Sequence, residues 1–311
     1  MTDIQLFRLS NAVAAELSSR AAKLERALQT LLEANMAVCL GVRFLASEYK
    51  TGKTHKGRID SLGLDENGCP VIIEYKRHNN ENVINQGLFY LDWLLDHRAE
   101  FRWLVIEKLG KDAADQIEWI GTRLICIAAD FTRYDQYAVQ QIPRNIELLR
   151  YKLFDEELLL LELINSQTVP DATSSKETTS KSASGAPHSL TLNGKDRSVE
   201  EWLEMGSDAF RGLYAQTVSY LNSLGDDVQE KHLKLYTAFR RLKNFACIVI
   251  QAHRLLITRS IDPASVTLGE GFSRDVTHVG HWGTGNLEIT IRTLEDLERA
   301  KPLLECGYRE S

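Results

Sequence analysis

Several features are scarce in this chain of 311 residues, and each scarcity narrows the reading. Its five cysteines (Cys39, Cys69, Cys126, Cys247, Cys306) are odd in number, scattered, and never spaced as Cys-x-x-Cys. They read as reduced, mostly structural thiols, which points to a cytoplasmic setting. No apolar run approaches the length of a membrane span, so no membrane partner is expected. Met1-Thr2-Asp3-Ile4 lacks the basic-then-apolar order of a secretory signal. Positive charge is not in surplus either: 37 Lys and Arg against 43 Asp and Glu leave a formal net charge of −6. That balance argues against a protein that coats nucleic acid. It argues less against an enzyme with an acidic metal site and local phosphate contacts. Hydrophobic residues at 43% and charged residues at 26% are those of a globular protein, with length for two domains.

What the chain does carry is the stretch 57–77, GRIDSLGLDENGCPVIIEYKR. It reads as strands over 58–64 and 70–76 joined at Asp65-Glu66-Asn67-Gly68, because Asn-Gly between two β-rich runs is a strong hairpin signal. A loop centred on Asn67 sets Asp60 opposite Glu74, and Glu74 and Lys76, two apart on one strand, share a face. A carboxylate directly after Val71-Ile72-Ile73 faces a desolvation cost unless it is paired or bound to a metal. Two readings follow: an ion pair of Lys76 with Glu74 or Asp60 at a sheet edge, or a Mg²⁺ site with a lysine that steers water.

Ile59-Asp60 followed by Glu74-Tyr75-Lys76 resembles the D…(D/E)-x-K signature of the PD-(D/E)XK nuclease superfamily. Glu25, in the preceding helix, occupies the place of an additional metal-site glutamate. Gln86-Gly87-Leu88-Phe89-Tyr90 is similar to the Q-x-x-x-Y motif of the RecB-like and λ-exonuclease-like branch, and the N-terminal domain as a whole resembles the RecB-like/NucS-like branch of the superfamily. The residue before the aspartate is isoleucine and not proline. The resemblance implies a restriction-endonuclease-like α/β sandwich and a Mg²⁺- or Mn²⁺-dependent nuclease acting on DNA, with RNA left open. It implies Asp60, Glu74 and the backbone carbonyl of Tyr75 as metal ligands and Lys76 as the group that positions or deprotonates the attacking water. Glu25, Gln86 and Tyr90 complete the implied site. Lys50, Lys53, His55, Lys56 and Arg58 precede the aspartate, and Arg77 and His78 follow Lys76. Lys53, Lys56, Arg58 and Arg77 are the candidate phosphate contacts, with a merely solvated loop as the alternative. A homodimer is among the assemblies left open. Over nearly its whole length the chain also resembles uncharacterised bacterial proteins often labelled predicted transport proteins, a label that no bilayer-crossing segment here supports.

In chain order, a short strand is expected over 4–9 and helices over 12–17 and 21–35. A strand over 42–49, the hairpin, a helix from 83 and a second toward Gly110 follow. A buried strand over 123–130, a helix over 131–142 and strands over 146–153 and 158–164 complete a first domain, 1–165. The composition of 166–197, small and polar, marks a flexible linker. A smaller α+β domain, 198–311, is expected to hold helices over 199–203, 210–224 and 228–242, the last bearing Lys231, Lys234, Arg240, Arg241 and Lys243. It then holds a hairpin turning at 252–253, a Gly-rich turn over 280–286, a strand over 287–291, and a final helix capped by Thr293 and Asp296 and ending near Gly307. Its site candidates are weak: His278-x-x-His281 and the Gly-rich turn both read more simply as structure.

Overall fold

The structure is a computed structural model that describes residues 4–11, 13–21, 25–52, 56–76, 83–155, 157–167, 197–251, 253–279 and 283–311. The chain divides into two compact units, Met1–Val169 and Pro170–Ser311. Nearly all of the expected linker lies outside the described residues. Among them no helix is long and apolar enough to cross a membrane.

The first unit is an α/β sandwich. Its strands are β1 (Leu6–Ser10), β2 (Val13–Leu17), β3 (Ser19–Arg20), β4 (Val42–Lys50), β5 (Arg58–Asp65), β6 (Pro70–Lys76), β7 (Arg123–Ala128), β8 (Asn145–Phe154) and β9 (Leu158–Gln167). Its helices are α1 (Glu25–Ala34), α2 (Met36–Leu40), α3 (Val83–Asp96), α4 (Arg98–Leu109), α5 (Lys111–Asp115) and α6 (Arg133–Gln140). The main sheet runs β3-β8-β7-β6-β5-β4, with β9 paired to β8. β4, β5 and β6 are antiparallel, whereas β6, β7 and β8 are parallel. Parallel strands need both faces covered, and Arg-Leu-Ile-Cys-Ile-Ala of β7 is buried throughout.

Alternation along β5 and β6 assigns the faces. A Cβ on Gly63 would approach the Met36 sulfur of α2 at 3.5 Å, and one on Gly87 of α3 would meet the Leu124 side chain at 2.5 Å. Leu124 is in register with Ile72, and Ile72 with Leu62, the neighbour of Gly63. Successive residues face opposite ways, so α2 covers one side of the sheet and α3 the other. The hairpin register is the one read from the sequence: Ser61 pairs Ile73, Leu62 pairs Ile72 and Leu64 pairs Pro70. Its turn is closed by the Asp65 carboxylate, whose Oδ1 accepts the N–H groups of Asn67 and Cys69 at 2.9 Å each. Gly68 sits at φ +74, the left-handed region that favours glycine.

The helix expected over 12–17 is instead a strand, β2, paired with β1 from Leu6↔Leu17 to Ser10↔Val13. Asn11 takes φ +47 in the turn, which its short polar side chain tolerates. A run this short gains little from helix propensity alone, and the pairing with β1 outweighs it.

The second unit is α+β. It comprises α7 (Val199–Met205), α8 (Asp208–Asn222), β10 (Gln229–His232), β11 (Thr237–Arg240), β12 (Asn244–Gln251), β13 (Arg254–Arg259), β14 (Ser273–Asp275), β15 (Leu287–Ile291) and α9 (Leu294–Glu310). The sheet order is β10-β11-β12-β13-β15-β14, antiparallel throughout. The helix expected over 228–242 is the β10–β11 hairpin. All four residues of β11 are buried beside β12, whose Phe-Ala-Cys-Ile-Val-Ile run is a strong strand former, and that pairing overrides local helix propensity. The basic residues therefore share no helical face. Arg240 is buried, and Arg241 bonds Asp227 at 2.6 Å and stacks on Tyr308. Gly307 does not end the last helix, which runs to Glu310; it lies inside it, where a Cβ would crowd the Phe245 carbonyl oxygen at 3.2 Å. His281 and residues 280–282 of the Gly-rich turn lie outside the described residues.

At the β6–β7 crossover end of the first unit, Arg123 joins three strands. Its Nη1 lies 2.8 Å from both Glu147 oxygens on β8, and its Nε 3.3 Å from Asp65 Oδ2 on β5, with all three side chains at most 5% exposed. Removing one member of a buried ion cluster leaves uncompensated charge. Arg123→Met is expected to destabilise the first unit by about 3–5 kcal/mol, read as a lower urea midpoint of the full chain. A midpoint equal to wild type would mean that the cluster contributes nothing.

Candidate active site

The site forms where β5 and β6 stop pairing. Their last paired residues are Ser61 and Ile73. One residue further, side chains take over the ladder: Asp60 N–H donates to Glu74 Oε1 at 3.2 Å, and Tyr75 N–H donates to Asp60 Oδ2 at 3.0 Å. Each carboxylate thus replaces a missing strand bond on the neighbouring strand. The two acids are held side by side by main-chain geometry.

Their environments differ. Glu74 is 0% exposed, and its Oε2 has no hydrogen-bond partner among the described residues. Burial, and then the charge of Asp60, push its carboxyl up to about 9, against the weaker opposing pull of the Asp60 N–H and Lys76. Asp60 is partly open to solvent, and burial raises it as well; the Tyr75 N–H and Lys76 resist, while Glu25 and Glu48 add to the rise. Lys76, its side chain 11% exposed, donates to Glu25 Oε1 at 3.4 Å. Burial disfavours its ammonium, but Glu25 and Asp60 outweigh that, so it stays charged.

An open cleft of about 530 Å³ lies over Asp60, Lys76 and Glu25, while Glu74 is buried beside Asp60 and is not part of the cleft lining. Glu25, Asp60 and Lys76 line it together with Gln86 and Tyr90, and Lys50, Lys56 and Arg58 supply positive charge. Residues that the sequence places in three separate segments therefore share one cavity. Lys53 and Arg77, with His55 and His78, lie outside the described residues.

The Gln86–Tyr90 pair meets the backbone at Gly57 and Arg58, and among the described residues no hydrogen bond joins it to the acids. Gln86 Nε2 donates to Tyr90 Oη at 3.3 Å, and the Arg58 N–H donates to the same oxygen at 3.1 Å. A Cβ on Gly57 would fall 2.4 Å from the Tyr90 ring, so a glycine is required for the loop to lie against it. On the other face, Tyr75 is buried with its hydroxyl 3.3 Å from Ser61 Oγ, which leaves only its main chain on the side of the acids.

Two residues of the site escape the sequence reading. Gln29 is 5% exposed, and its Nε2 donates to the Asp60 carbonyl at 2.9 Å, to Glu33 and to Ser47. Its spacing four residues after Glu25 on one helix face is the signal that could have found it. Glu48 pairs with Arg26 and Arg58, and nothing in the local sequence marks it.

The donor set suits a hard divalent cation. Among the described residues no group of three or more His, Cys, Asp or Glu gathers as a metal cage. Mg²⁺, however, keeps several waters and is held through one or two carboxylates. Asp60 and Glu74 would be those two, and the buried Oε2 of Glu74 is a polar atom that such an ion would satisfy.

No family model matches the chain. It is 27% identical over 313 residues to an uncharacterized protein of Haemophilus influenzae, an alignment covering 99% of this chain and 100% of that protein. Among solved structures it is similar to a repair endonuclease from Pyrococcus abyssi, at 19% identity and a TM-score of 0.28, covering 42% of this chain and 48% of that one. It is also similar to an EndoMS–dsDNA complex, at 22% identity and a TM-score of 0.24, covering 40% of this chain and 43% of that one. The chain thus spans a little under half the length of each of these solved structures.

Proposed function

We propose that the first unit is a Mg²⁺- or Mn²⁺-dependent nuclease that hydrolyses DNA phosphodiester bonds. One observation carries the reading: a fully buried glutamate with an unpartnered oxygen, set beside Asp60 under a cleft that also presents Lys76 and three more cations. Capping the Asp60 N–H uses only Oε1 of Glu74, a bond that an uncharged amide could make as well. Burying a full carboxyl whose Oε2 meets no donor among the described residues costs free energy that this capping role does not require.

In this reading Asp60 and Glu74 hold the cation, with the main-chain carbonyl of Tyr75 as the further ligand that the resemblance implies. When bound, the cation supplies Lewis-acid polarisation of the phosphoryl oxygen and a more acidic water. Lys76 orients the attacking water and stabilises negative charge developing on the phosphate, and Glu25 keeps its ammonium in place. Lys50, Lys56 and Arg58 bind neighbouring phosphates as local charges, which a negative net charge permits. Products would carry 5′-phosphate and 3′-hydroxyl ends. A setting in DNA repair or in defence against foreign DNA rests on the resemblance alone.

The direct test incubates linear, circular and single-stranded DNA, and RNA, with and without Mg²⁺, beside Asp60→Ala and Lys76→Ala. Wild type is expected to cut DNA only with the cation, and each variant to lose about 10²–10³-fold in rate, the scale of removing one transition-state contact. Equal traces of degradation from wild type and variants would replace the enzyme with a non-catalytic interaction module, and cleavage of RNA alone would change the substrate.

A second test reads Glu74 without any turnover. With its carboxyl raised from 4.5 to about 9, the metal-free folded state keeps a proton that the unfolded chain releases. Stability is then full below the unfolded value and falls as pH climbs from about 5 toward 9, by up to about 1.4 kcal/mol per pH unit. Glu74→Gln, which mimics the protonated acid, is expected to flatten that slope in thermal melts while abolishing cleavage. A destabilised variant with an unchanged slope would make Glu74 an ion-pair partner instead.

A further inference from the structure

Glu48 stands out on backbone grounds before its contacts are considered. It lies within β4 at φ +54, a region that non-glycine residues rarely occupy and hold only where the surroundings enforce it. The ladder with β5 pairs Ser47 with Ser61 and Tyr49 with Ile59, so Glu48 falls at the level of Asp60. The strand turns over there. Ser47 accepts from Gln29 of α1, whereas Tyr49 packs its ring 5.6 Å from Trp93 of α3, on the opposite side of the sheet. The left-handed residue between them re-aims its own side chain, which is mostly buried yet bonded to two arginines. Arg26 lies at 3.1 Å, and Arg58 Nε is in close contact with Oε2. Arg58 lines the cleft, and Arg26 adjoins Glu25, which also lines it.

On the reading of the first unit as a nuclease, we infer that Glu48 is a positioning residue for substrate: it holds the Arg58 guanidinium at the cleft mouth, ready for a backbone phosphate beside the one being cut. The strained conformation is what brings the carboxylate to that side. Arg58 is 63% exposed along its side chain, so without this partner its long stem would sample many rotamers, and the entropy of ordering it would fall on substrate binding.

Charge alone would act the other way. Glu48 is an anion close enough to Asp60 to raise its carboxyl, so removing it should make the cleft more attractive to DNA. The two accounts therefore differ in sign. The experiment is steady-state cleavage of duplex DNA by the full chain at saturating Mg²⁺, comparing Glu48→Gln, Glu48→Gly, Arg58→Ala, Arg26→Ala and the Glu48→Gln/Arg58→Ala double variant. Positioning predicts KM raised about three- to tenfold, the size of one phosphate contact, with kcat within about twofold of wild type. The double variant should be no worse than Arg58→Ala, because the second change removes what the first one served. Glu48→Gly, whose residue accepts the left-handed backbone, should lose affinity without lowering the melting midpoint. A lowered or unchanged KM, a loss confined to kcat, or non-additivity with Arg26 instead of Arg58 would overturn the inference and leave the nuclease reading standing. Wild type that cuts no nucleic acid would remove both.

Discussion

The interruption of one β-ladder organises the functional end of the first unit. Up to Ser61 and Ile73 the two strands bond to each other through their main chains. Beyond that point the N–H groups of Asp60 and Tyr75 are answered by carboxylates. Buried backbone donors must be satisfied somewhere, so the break is tolerated only because acidic side chains sit where the carbonyls would have been. The same contacts that repair the ladder fix the acids to within a hydrogen bond of the strands. Precision at the site is thus inherited from the sheet, which is stiffer than any loop.

This arrangement has an energetic cost that the rest of the unit must offset. Glu74 is sealed from water, and Asp60 is pushed in the same direction by burial and by its neighbours. Offsetting terms come from the apolar layers on both faces: Leu28, Leu32 and Met36 under α1 and α2, and Ile84, Leu91 and Leu94 of α3 on the other side. Tyr90 belongs to that second layer, yet its hydroxyl reaches the edge of the cleft and receives the Arg58 N–H. Packing of α3 thereby helps to place the backbone of Gly57 and Arg58. Arg123, at the far end of the same strands, adds a second fixed charge cluster that ties β5, β7 and β8 together.

Much of this was legible in the residues alone, for identifiable reasons. Asn67-Gly68 marks the turn, alternation on either side sets the register, and the fixed pleat then brings Asp60 and Glu74 together. The continuous apolar run of β7 signals a strand covered on both faces, and Thr293 with Asp296 forms the expected capping box. The failures share a cause. Residues 13–17 and 229–240 favour a helix locally, but each finds a strand partner, and pairing across the chain outweighs propensity. Glu48 could not be found at all, since a left-handed glutamate within a strand leaves no trace in composition or spacing. Gln29 was marked only by its spacing from Glu25 on one helix face, a signal that by itself does not separate a buried glutamine from an exposed one.

One consequence of β5 concerns length more than chemistry. Asp60 is tied to the Tyr75 N–H at one end of the strand, and Asp65 is tied to Arg123 and to the turn at the other. Neither anchor can slide, because a shift by one position would send every side chain between them to the wrong face. The strand works as a ruler clamped at both marks. An inserted or deleted residue between the marks could be absorbed only by pulling one aspartate off its partner, so the span tolerates exchange of side chains far better than any change in their number.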